Sequence, residues 1–526
     1  MNAPASDRAP RGGDGAAKPE LFVHNPPYLS DGQAAEMALR RLAAVLTVLL
    51  ALSFPIEMAT TGRALDVLNA VVPMVIMLAS LGTAYQVVSA NHWALLTPVP
   101  WFLGAAAAYC GFGPLSYTFG SDEAVAYMNQ LCLVDAANLA RTNRLNLVGL
   151  IMVLVGLLAG DRVLRGKECS ILAAPADGKE VRPAGTKTAA IVFLAIGLPI
   201  KYGFALPYEF GQLNFVLPGI VYTLENCVLL GLFLLSFGSV GAGRSWTLIL
   251  LGLLGIEVTV SLLRFTKTAI LMTMALPLLG RYLATGRMRV LLAGGVIICT
   301  VYLLVSPIIT WGRDAVYGNP PRPVEVEIGG SEKPQASLLA RWQIVRDAVG
   351  PLVTGQIARH GNPQSWWTRL SYANAQAFAM SCYDTGYDSD SFSAAPYIAV
   401  PRVLWPEKPL ISGAGQDFTQ LTLGHRNSST GLGIFGEAYW NGGWLLVVIL
   451  SASVGLLFAF FSRLALVLLP HMGWVFLPCA FLGLRMGFRI DGWIVGEYLG
   501  GFVLYLACLL VVNLLFKLQI QQSMQR

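Results

Sequence analysis

The residue types best suited to chemistry lie in a polar segment that runs from Trp311 to Trp440 between two long apolar blocks. Its last third contains Arg402 and Lys408 among prolines, which stiffen the backbone, and Glu437 just before the next apolar run. Guanidinium and ammonium groups bind anions, and a carboxylate accepts protons. If the protein catalyses a reaction, we expect the reaction in this segment.

Ionisable side chains also occur inside the apolar runs, where they are costly and therefore informative. These residues are Lys201, Glu225, Glu257, Arg485, Arg489 and Asp491. We expect structural pairing for most of them, with Lys201 and Glu225 paired between adjacent helices. Arg489 and Asp491 lie near the predicted outer turn between the eleventh and twelfth spans. From there their side chains would face a functional site from its membrane side. A proton-driven transporter would use the same residue types, so that class of protein stays open.

The sequence contains no recognisable metal-binding pattern. The eight cysteines and five histidines are dispersed, without a CxxC or Cys/His spacing. The tripeptide Asp388-Ser389-Asp390 matches the DxD motif of nucleotide-sugar transferases, but three residues match by chance often. A disulfide between Cys132 and Cys382 is conceivable, because both are predicted on the outer side. We expect no metal and no organic cofactor.

The elements that position these residues are predicted to be transmembrane helices. The chain has 526 residues, of which 55% are hydrophobic and 13% charged, with a mean hydropathy of +0.59. Apolar runs of about 20 residues recur along it, the length that one helical membrane crossing needs. The net charge of +6 is spread in small groups at the ends of these runs. Such placement sets membrane orientation, so we expect no nucleic acid partner.

We predict an all-α polytopic membrane protein with about twelve transmembrane helices and one large extracytoplasmic loop between the ninth and tenth. The predicted spans begin near Leu42, Leu68, Trp93, Leu145, Ala189, Phe215, Trp246, Thr268, Val290, Trp444, Trp474 and Trp493. The predicted organisation is a disordered cytoplasmic tail (1–38), nine spans (39–310), the loop (311–443), three spans (444–516) and a cytoplasmic tail (517–526). Lysine and arginine in the short loops place both termini in the cytoplasm.

Within the predicted loop, hydrophobic periodicity favours two helices. Ser337 to Ile357 reads as an amphipathic helix at the membrane interface, with Arg341 and Arg346 on its polar surface. Trp366 to Met380 is the second predicted helix. The chain after it is rich in Gly, Pro, Ser and Asp, which indicates irregular structure.

The motifs of the polar segment resemble those of the Wzy-type polymerases, which join oligosaccharide repeat units of bacterial surface glycans. The resemblance is carried by Pro401-Arg402, by Trp405-Pro406-Glu407-Lys408-Pro409 and by the stretch from Gly431 to Gly443. The predicted layout of many spans with one late outer loop is also similar. The resemblance implies a multi-pass protein of the bacterial inner membrane that transfers a glycan from undecaprenyl pyrophosphate onto a second lipid-linked unit.

The same resemblance implies two kinds of site residue. Cations are needed to hold a diphosphate whose charge grows as the bond breaks, and a base is needed for the attacking hydroxyl. The candidate pyrophosphate-binding residues are Arg264, Lys267, Arg313, Arg369, Arg402 and Lys408. Glu437 is the first candidate for the catalytic base or for orienting an arginine, and His425 and Asp417 are alternative bases.

The expected partners are a lipid-linked oligosaccharide donor and acceptor, membrane lipids, a chain-length regulator and a flippase. Three other functions stay open. An O-antigen-ligase-like transferase would share the architecture and move finished glycan to another acceptor. A transporter or flippase of the lipid-linked unit would use the buried charges, although transporters commonly show two matching halves, which this sequence lacks. The last alternative is a structural partner in an assembly.

Overall fold

The computed structural model of the protein describes residues 30–59, 62–130, 132–165, 185–213, 217–240, 243–317, 336–353, 365–400, 405, 408, 413–424 and 429–525. Within these ranges the chain is helical and contains no β-strand. The helices of the first half are α1 (Ser30–Ala59), α2 (Arg63–Ala90), α3 (Pro98–Ala106), α4 (Leu115–Phe119), α5 (Asp122–Asn129), α6 (Ala136–Arg165), α7 (Thr186–Ile200), α8 (Leu206–Glu209), α9 (Gly219–Glu225), α10 (Cys227–Ser239) and α11 (Arg244–Leu263).

The second half continues in the same way. Its helices are α12 (Lys267–Thr285), α13 (Met288–Tyr317), α14 (Leu338–Val353), α15 (Ser365–Thr368), α16 (Ala373–Asp384), α17 (Gly413–Leu423), α18 (Gly433–Met472), α19 (Leu477–Phe488) and α20 (Gly500–Gln525). Short 3₁₀ turns lie at His92–Leu96, Ser391–Tyr397 and Gly473–Phe476, and π-helical turns at Ala107–Phe112, Lys201–Ala205 and Ile494–Leu499.

Ten helical segments of the described residues are long and apolar enough to cross a membrane. The protein is therefore an all-α polytopic membrane protein, as predicted, and the count of twelve spans stays a prediction. The predicted span from Trp93 to Phe112 is not among the ten. Its helix is interrupted after Leu96, because Pro98 lacks the N–H that a continuing helix needs and instead starts a new helix.

The most extensive contact between described helices joins α6 to α18. Two glycines allow this close approach. A Cβ atom on Gly156 would lie 2.0 Å from the carbonyl oxygen of Ala452, and one on Gly455 would lie 2.0 Å from that of Val153. Lipid is as apolar as the helix side chains, so the hydrophobic effect does not drive helices together in a membrane. They associate through close packing of this kind instead. The contact fixes α18, which leads into the membrane from the polar segment.

Helix α18 begins at Gly433, eleven residues before the predicted span, and bends at Gly442 and Gly443. Gly443 has φ +61°, a conformation that favours glycine, and a Cβ atom there would lie 2.8 Å from the ring of Tyr383. All residues from Gly433 to Trp440 are buried. The bend therefore lets the first turns of α18 pack inside the polar segment while the rest follows the bundle.

Helix α14, predicted as an amphipathic helix, packs on the ends of α11 and α13, where Val345 joins an apolar cluster. The prediction that Arg341 lies on its surface is wrong, since only 2% of this residue is exposed. Its Nη1 donates to the carbonyl oxygen of Leu263 at 3.3 Å, and its guanidinium lies over the rings of Phe210 and Phe265. The end of α11 offers an unpaired carbonyl, and the two rings attract a cation.

Helix α6 begins at Ala136, nine residues before the predicted span. Arg141 and Arg144, which the sequence placed in a loop, are therefore helical. The pattern missed this start because both charges are compensated by distant parts of the chain. Arg141 pairs with Asp384, and Arg144 Nη2 lies 3.4 Å from Glu57 Oε1.

Both predicted tails are partly helical. Helix α1 begins at Ser30, so residues 30–38 are not a disordered tail, and an ion pair one turn apart between Glu36 and Arg40 stabilises this start. Residues 1–29 lie outside the described residues. At the other end, α20 continues to Gln525 through most of the predicted tail.

The glycine contact between α6 and α18 can be tested by Gly455→Ala. The added methyl group would collide with the backbone of α6. We expect the free energy of unfolding to fall by about 1–3 kcal/mol, the usual cost of overpacking a core. Gly252→Ala in α11 is the matched control, because a Cβ atom there meets nothing within 4 Å. Thermal denaturation in detergent measures both variants. Equal melting temperatures for the two would contradict the close contact.

Candidate functional site

Three of the cations predicted for phosphate binding, Lys267, Arg313 and Arg369, lie together, and we call them the cationic cluster. Lys267 begins α12, Arg313 lies in the last turns of α13, and Arg369 follows α15. The charges of Arg313 and Arg369 both act on the Lys267 ammonium group. Because like charges repel, three cations gathered at one place favour the binding of an anion.

Helix α13 holds Lys267 in position. The Nζ atom donates to Ser306 Oγ at 2.5 Å and lies 5.7 Å from the centre of the Tyr302 ring. Tyr302, Ser306 and Arg313 share one face of α13, because they are spaced by four and seven residues. Within the described ranges, Lys267 forms no ion pair with a carboxylate.

The segment that carries Arg369 is anchored to the π-helical turn that follows α3. Trp367 Nε1 donates to the carbonyl oxygen of Phe112 at 2.7 Å, and the two rings stack with centres 5.2 Å apart. Gly113 permits a close approach, since a Cβ atom there would lie 2.1 Å from the carbonyl oxygen of Leu370. The backbone of Arg369 is thus fixed while its side chain is exposed.

Two tyrosines connect the cationic cluster to the chain between α19 and α20. The rings of Tyr109 and Tyr372 meet edge to face, with centres 5.6 Å apart. The charge of Arg369 acts on Tyr372, and those of Arg489 and Asp491 act on both tyrosines. Burial raises the pKa of Tyr372 above its ordinary value, so its phenol stays neutral and can donate a hydrogen bond.

Residues 489–498, which we call the charged turn, combine ion pairs with unpaired polar atoms. Arg489 Nη2 lies 2.7 Å from Glu497 Oε1, and Arg489 Nε lies 3.6 Å from Asp491 Oδ1. Four buried atoms of the turn have no hydrogen-bond partner in the described part of the chain: Arg489 Nε, Asp491 Oδ1, Trp493 Nε1 and Tyr498 Oη. Buried polar atoms are nearly always paired in native proteins. These four therefore indicate a place where water or a ligand binds.

Glu437 is completely buried in the second turn of α18. Its Oε1 accepts a hydrogen bond from Ser391 Oγ at 2.8 Å, and its Oε2 accepts one from the backbone N–H of Ile494. Asn441 Nδ2 donates to the same Ser391 Oγ at 2.8 Å. This arrangement gives Glu437 a positioning role, because its carboxylate connects α18 to the backbone of the charged turn.

The other predicted cations lie apart from the cationic cluster or outside the residues that the structure describes. Arg264 Nη2 lies 2.5 Å from Glu209 Oε1 and Nη1 lies 3.2 Å from Glu225 Oε1, so two carboxylates match its charge. Lys408 is buried, and its Nζ donates to two backbone carbonyl oxygens of residues 398 and 400. Arg402 lies outside the described residues.

Of the two alternative bases, the structure describes only Asp417. Asp417 lies on the exposed face of α17, beside the buried Phe418. His425 lies outside the described residues. Sequence reasoning placed Asp491 near a site without naming it a site residue, and the structure shows its Oδ1 buried without a hydrogen-bond partner among the described residues.

The buried ion pair predicted between Lys201 and Glu225 is wrong. Lys201 pairs with Glu257 of α11, which also accepts a hydrogen bond from Tyr202 Oη at 2.9 Å. Glu225 forms its ion pair with Arg264 instead. The π-helical turn at Lys201–Ala205 adds a residue to the helical turn, and Lys201 therefore faces α11. Cys132 and Cys382, the conceivable disulfide, are both free thiols.

Neither a metal site nor a known relative supplies a function. In the ranges that the structure describes, no group of three or more His, Cys, Asp and Glu side chains could hold a metal ion. Comparisons with protein-family models, with curated proteins and with solved structures find no match to this chain. The cationic cluster and the charged turn are therefore the basis for a functional proposal.

The positioning role of Glu437 can be tested with Glu437→Gln. A glutamine amide places a donor against Ser391 Oγ–H or the Ile494 N–H, so we expect the free energy of unfolding to fall by about 1–3 kcal/mol. Ser391→Ala should add little to that loss, since both substitutions remove the same hydrogen bond. Apparent melting temperatures of the single and double variants measure the coupling.

Asp66→Asn is the matched control for this cycle, because that carboxylate is exposed in the first turn of α2. We expect it to change the free energy of unfolding by less than about 0.5 kcal/mol. Fully additive losses from Glu437→Gln and Ser391→Ala would show that the two side chains act independently, against the hydrogen bond described.

Proposed function

We propose that this protein is a metal-independent glycosyltransferase of the bacterial inner membrane. It polymerises undecaprenyl-pyrophosphate-linked oligosaccharide repeat units into a surface or secreted polysaccharide. The observation that carries the proposal is the cationic cluster, in which Lys267, Arg313 and Arg369 come from three separate segments. Lys267 and Arg369 form no ion pair with a carboxylate within the described residues. Their positive charge is available to an anionic ligand.

The chemistry of the reaction matches this arrangement. The leaving group is a lipid pyrophosphate, whose negative charge grows as its bond to the sugar breaks. Arginine binds phosphate oxygens through two parallel N–H groups and stays protonated at every relevant pH, while lysine adds a compact charge. Cations that are fixed before the reaction stabilise the developing charge without reorganisation.

The proposed topology has twelve crossings, both termini in the cytoplasm and residues 311–443 at the outer face. The segment Gly433–Phe488 has 56 residues, enough for two of these crossings. The basic residues of the short loops support this orientation. The donor and acceptor are then lipid-linked units in the outer leaflet, and a flippase and a chain-length regulator act with the protein.

A transporter or flippase of the lipid-linked oligosaccharide is the second candidate, favoured by the charges buried in the bundle. Lys201 is 5% exposed and Glu257 is 1% exposed, and Arg264 lies between Glu209 and Glu225. Charged groups at such depth are typical of ion and proton pathways. A ligase shares the chemistry of the first candidate and differs in its acceptor.

Reconstitution tests the proposal and its alternatives together. Proteoliposomes that contain the purified protein and lipid-pyrophosphate-linked repeat units should form a ladder of polymers on a gel. Arg369→Lys should lower the rate by about 100-fold or more, because an ammonium group cannot reproduce the two parallel hydrogen bonds of a guanidinium to the leaving group. Arg346→Lys is the matched control, since Arg346 is exposed on α14 and pairs with its neighbour Asp347.

Two outcomes would overturn the polymerase assignment, and a third would overturn the role of the cationic cluster. Transfer of finished glycan to a different acceptor, with no polymer, would identify a ligase. Movement of the lipid-linked unit across the bilayer, with no new glycosidic bond, would identify a transporter. Wild-type polymer formation by Arg369→Lys would remove the cationic cluster from the reaction.

A further inference from the structure

The charged turn contains an ion pair whose two facing atoms are too far apart to share a hydrogen bond. Arg489 Nε and Asp491 Oδ1 are 3.6 Å apart, and each is buried without a hydrogen-bond partner in the described part of the chain. Tyr498 is only 3% exposed, and its hydroxyl also has no partner there. Tyr498 and Arg489 both lie within electrostatic reach of Asp491. The turn thus presents donors and an acceptor together.

A hydroxyl group is the ligand that satisfies such a set. It donates one hydrogen bond and accepts two, so it can donate to Asp491 Oδ1 while it accepts from Arg489 Nε. A phosphate oxygen would be repelled by the Asp491 carboxylate, and an apolar group would leave both atoms unpaired. Sugars carry hydroxyl groups, and in the proposed reaction one sugar hydroxyl is the nucleophile.

We propose that Asp491 is the catalytic base that accepts the proton of the attacking sugar hydroxyl, and this inference rests on the proposed function. As the acceptor oxygen forms its bond to the anomeric carbon of the donor, its proton passes to Asp491 Oδ1. The bond between that carbon and the lipid pyrophosphate breaks, and its electron pair leaves with the pyrophosphate. The proton is then released to water, so the step needs no oxidant, reductant or other co-reactant.

The reaction requires both a base and phosphate-binding cations, and the location of Asp491 suits the base. Tyr372 lies within electrostatic reach of both Asp491 and Arg369, so one residue links the proposed base to the cationic cluster. A Cβ atom on Gly431 would lie 2.6 Å from the carbonyl oxygen of Asp491. Glu437 holds the N–H of Ile494 three residues further on. The glycine-rich stretch from Gly431 to Gly443 therefore positions the base.

The charges around Asp491 determine how its activity depends on pH. Burial raises the pKa of its carboxyl group above the ordinary value, Arg489 opposes this rise, and Glu497 adds to it. The neighbouring titratable groups from the other elements are Tyr109, Tyr372 and Tyr498. A base acts in its deprotonated form, so the rate falls as pH falls through this raised pKa. The acid limb of the rate profile should therefore lie above the ordinary aspartate range, which is near pH 4.

The experiment measures polymer formation by Asp491→Asn and Asp491→Ala in proteoliposomes. We expect kcat to fall by about 10²- to 10⁴-fold in both, the usual contribution of a general base. Binding of a lipid pyrophosphate, measured separately, should be retained, because the cationic cluster is unchanged. Formate should restore part of the rate to Asp491→Ala by replacing the missing carboxylate, and it should not help Asp491→Asn. Asp66→Asn, which alters an exposed aspartate in the first turn of α2, should behave as wild type.

The outcomes separate this inference from the proposed function. If the wild type forms polymer and Asp491→Asn forms it at the same rate, the base assignment is overturned and the polymerase function stands. If the wild type forms no polymer, the function itself fails. If the variants do not fold, as melting temperatures would show, the wild-type pH profile decides. An acid limb at or below about pH 4 would then overturn the assignment.

Discussion

A charge inside an apolar bundle has to be compensated where it lies, and this constraint organises the described part of the protein. Lys201 pairs with Glu257, and Arg463 Nη2 lies 2.5 Å from Asp161 Oδ1. Each pair joins helices that are far apart in sequence. Removing one partner of the Lys201–Glu257 pair would leave an uncompensated buried charge, which is far more costly than the pair itself. These pairs therefore fix which helices are neighbours, and they leave few charges for other uses.

The cationic cluster departs from this pattern. Lys267 is held by Ser306 and by the ring of Tyr302, and its neighbouring charges are the like charges of Arg313 and Arg369. Gathering three like charges at one place costs electrostatic repulsion. Proteins break local rules of this kind mainly at functional sites. In the proposed function, an anionic ligand at the cluster offsets the repulsion.

The sequence was sufficient for the class of fold and for part of the site, because both depend on local pattern. Apolar runs of crossing length identify helices wherever they pack, and the residue types of Lys267 and Arg369 already indicated anion binding. The partner of Lys201, the burial of Arg341 and the early start of α6 depend on contacts between distant segments. A periodicity of 3.6 residues predicts which face of a helix is apolar, but it cannot predict which neighbour that face meets.

Glu437 shows how the contacts of a motif residue bear on the role that is proposed for it. A carboxylate that accepts hydrogen bonds from Ser391 and from the Ile494 N–H has its oxygens occupied by protein donors. Glu437 is also fully buried, and loss of either bond would leave a buried polar group unpaired. The same two contacts hold the turn that presents Asp491, whose Oδ1 has no such donor among the described residues. In the proposed mechanism Asp491 Oδ1 therefore accepts the proton, and Glu437 holds the turn that carries it.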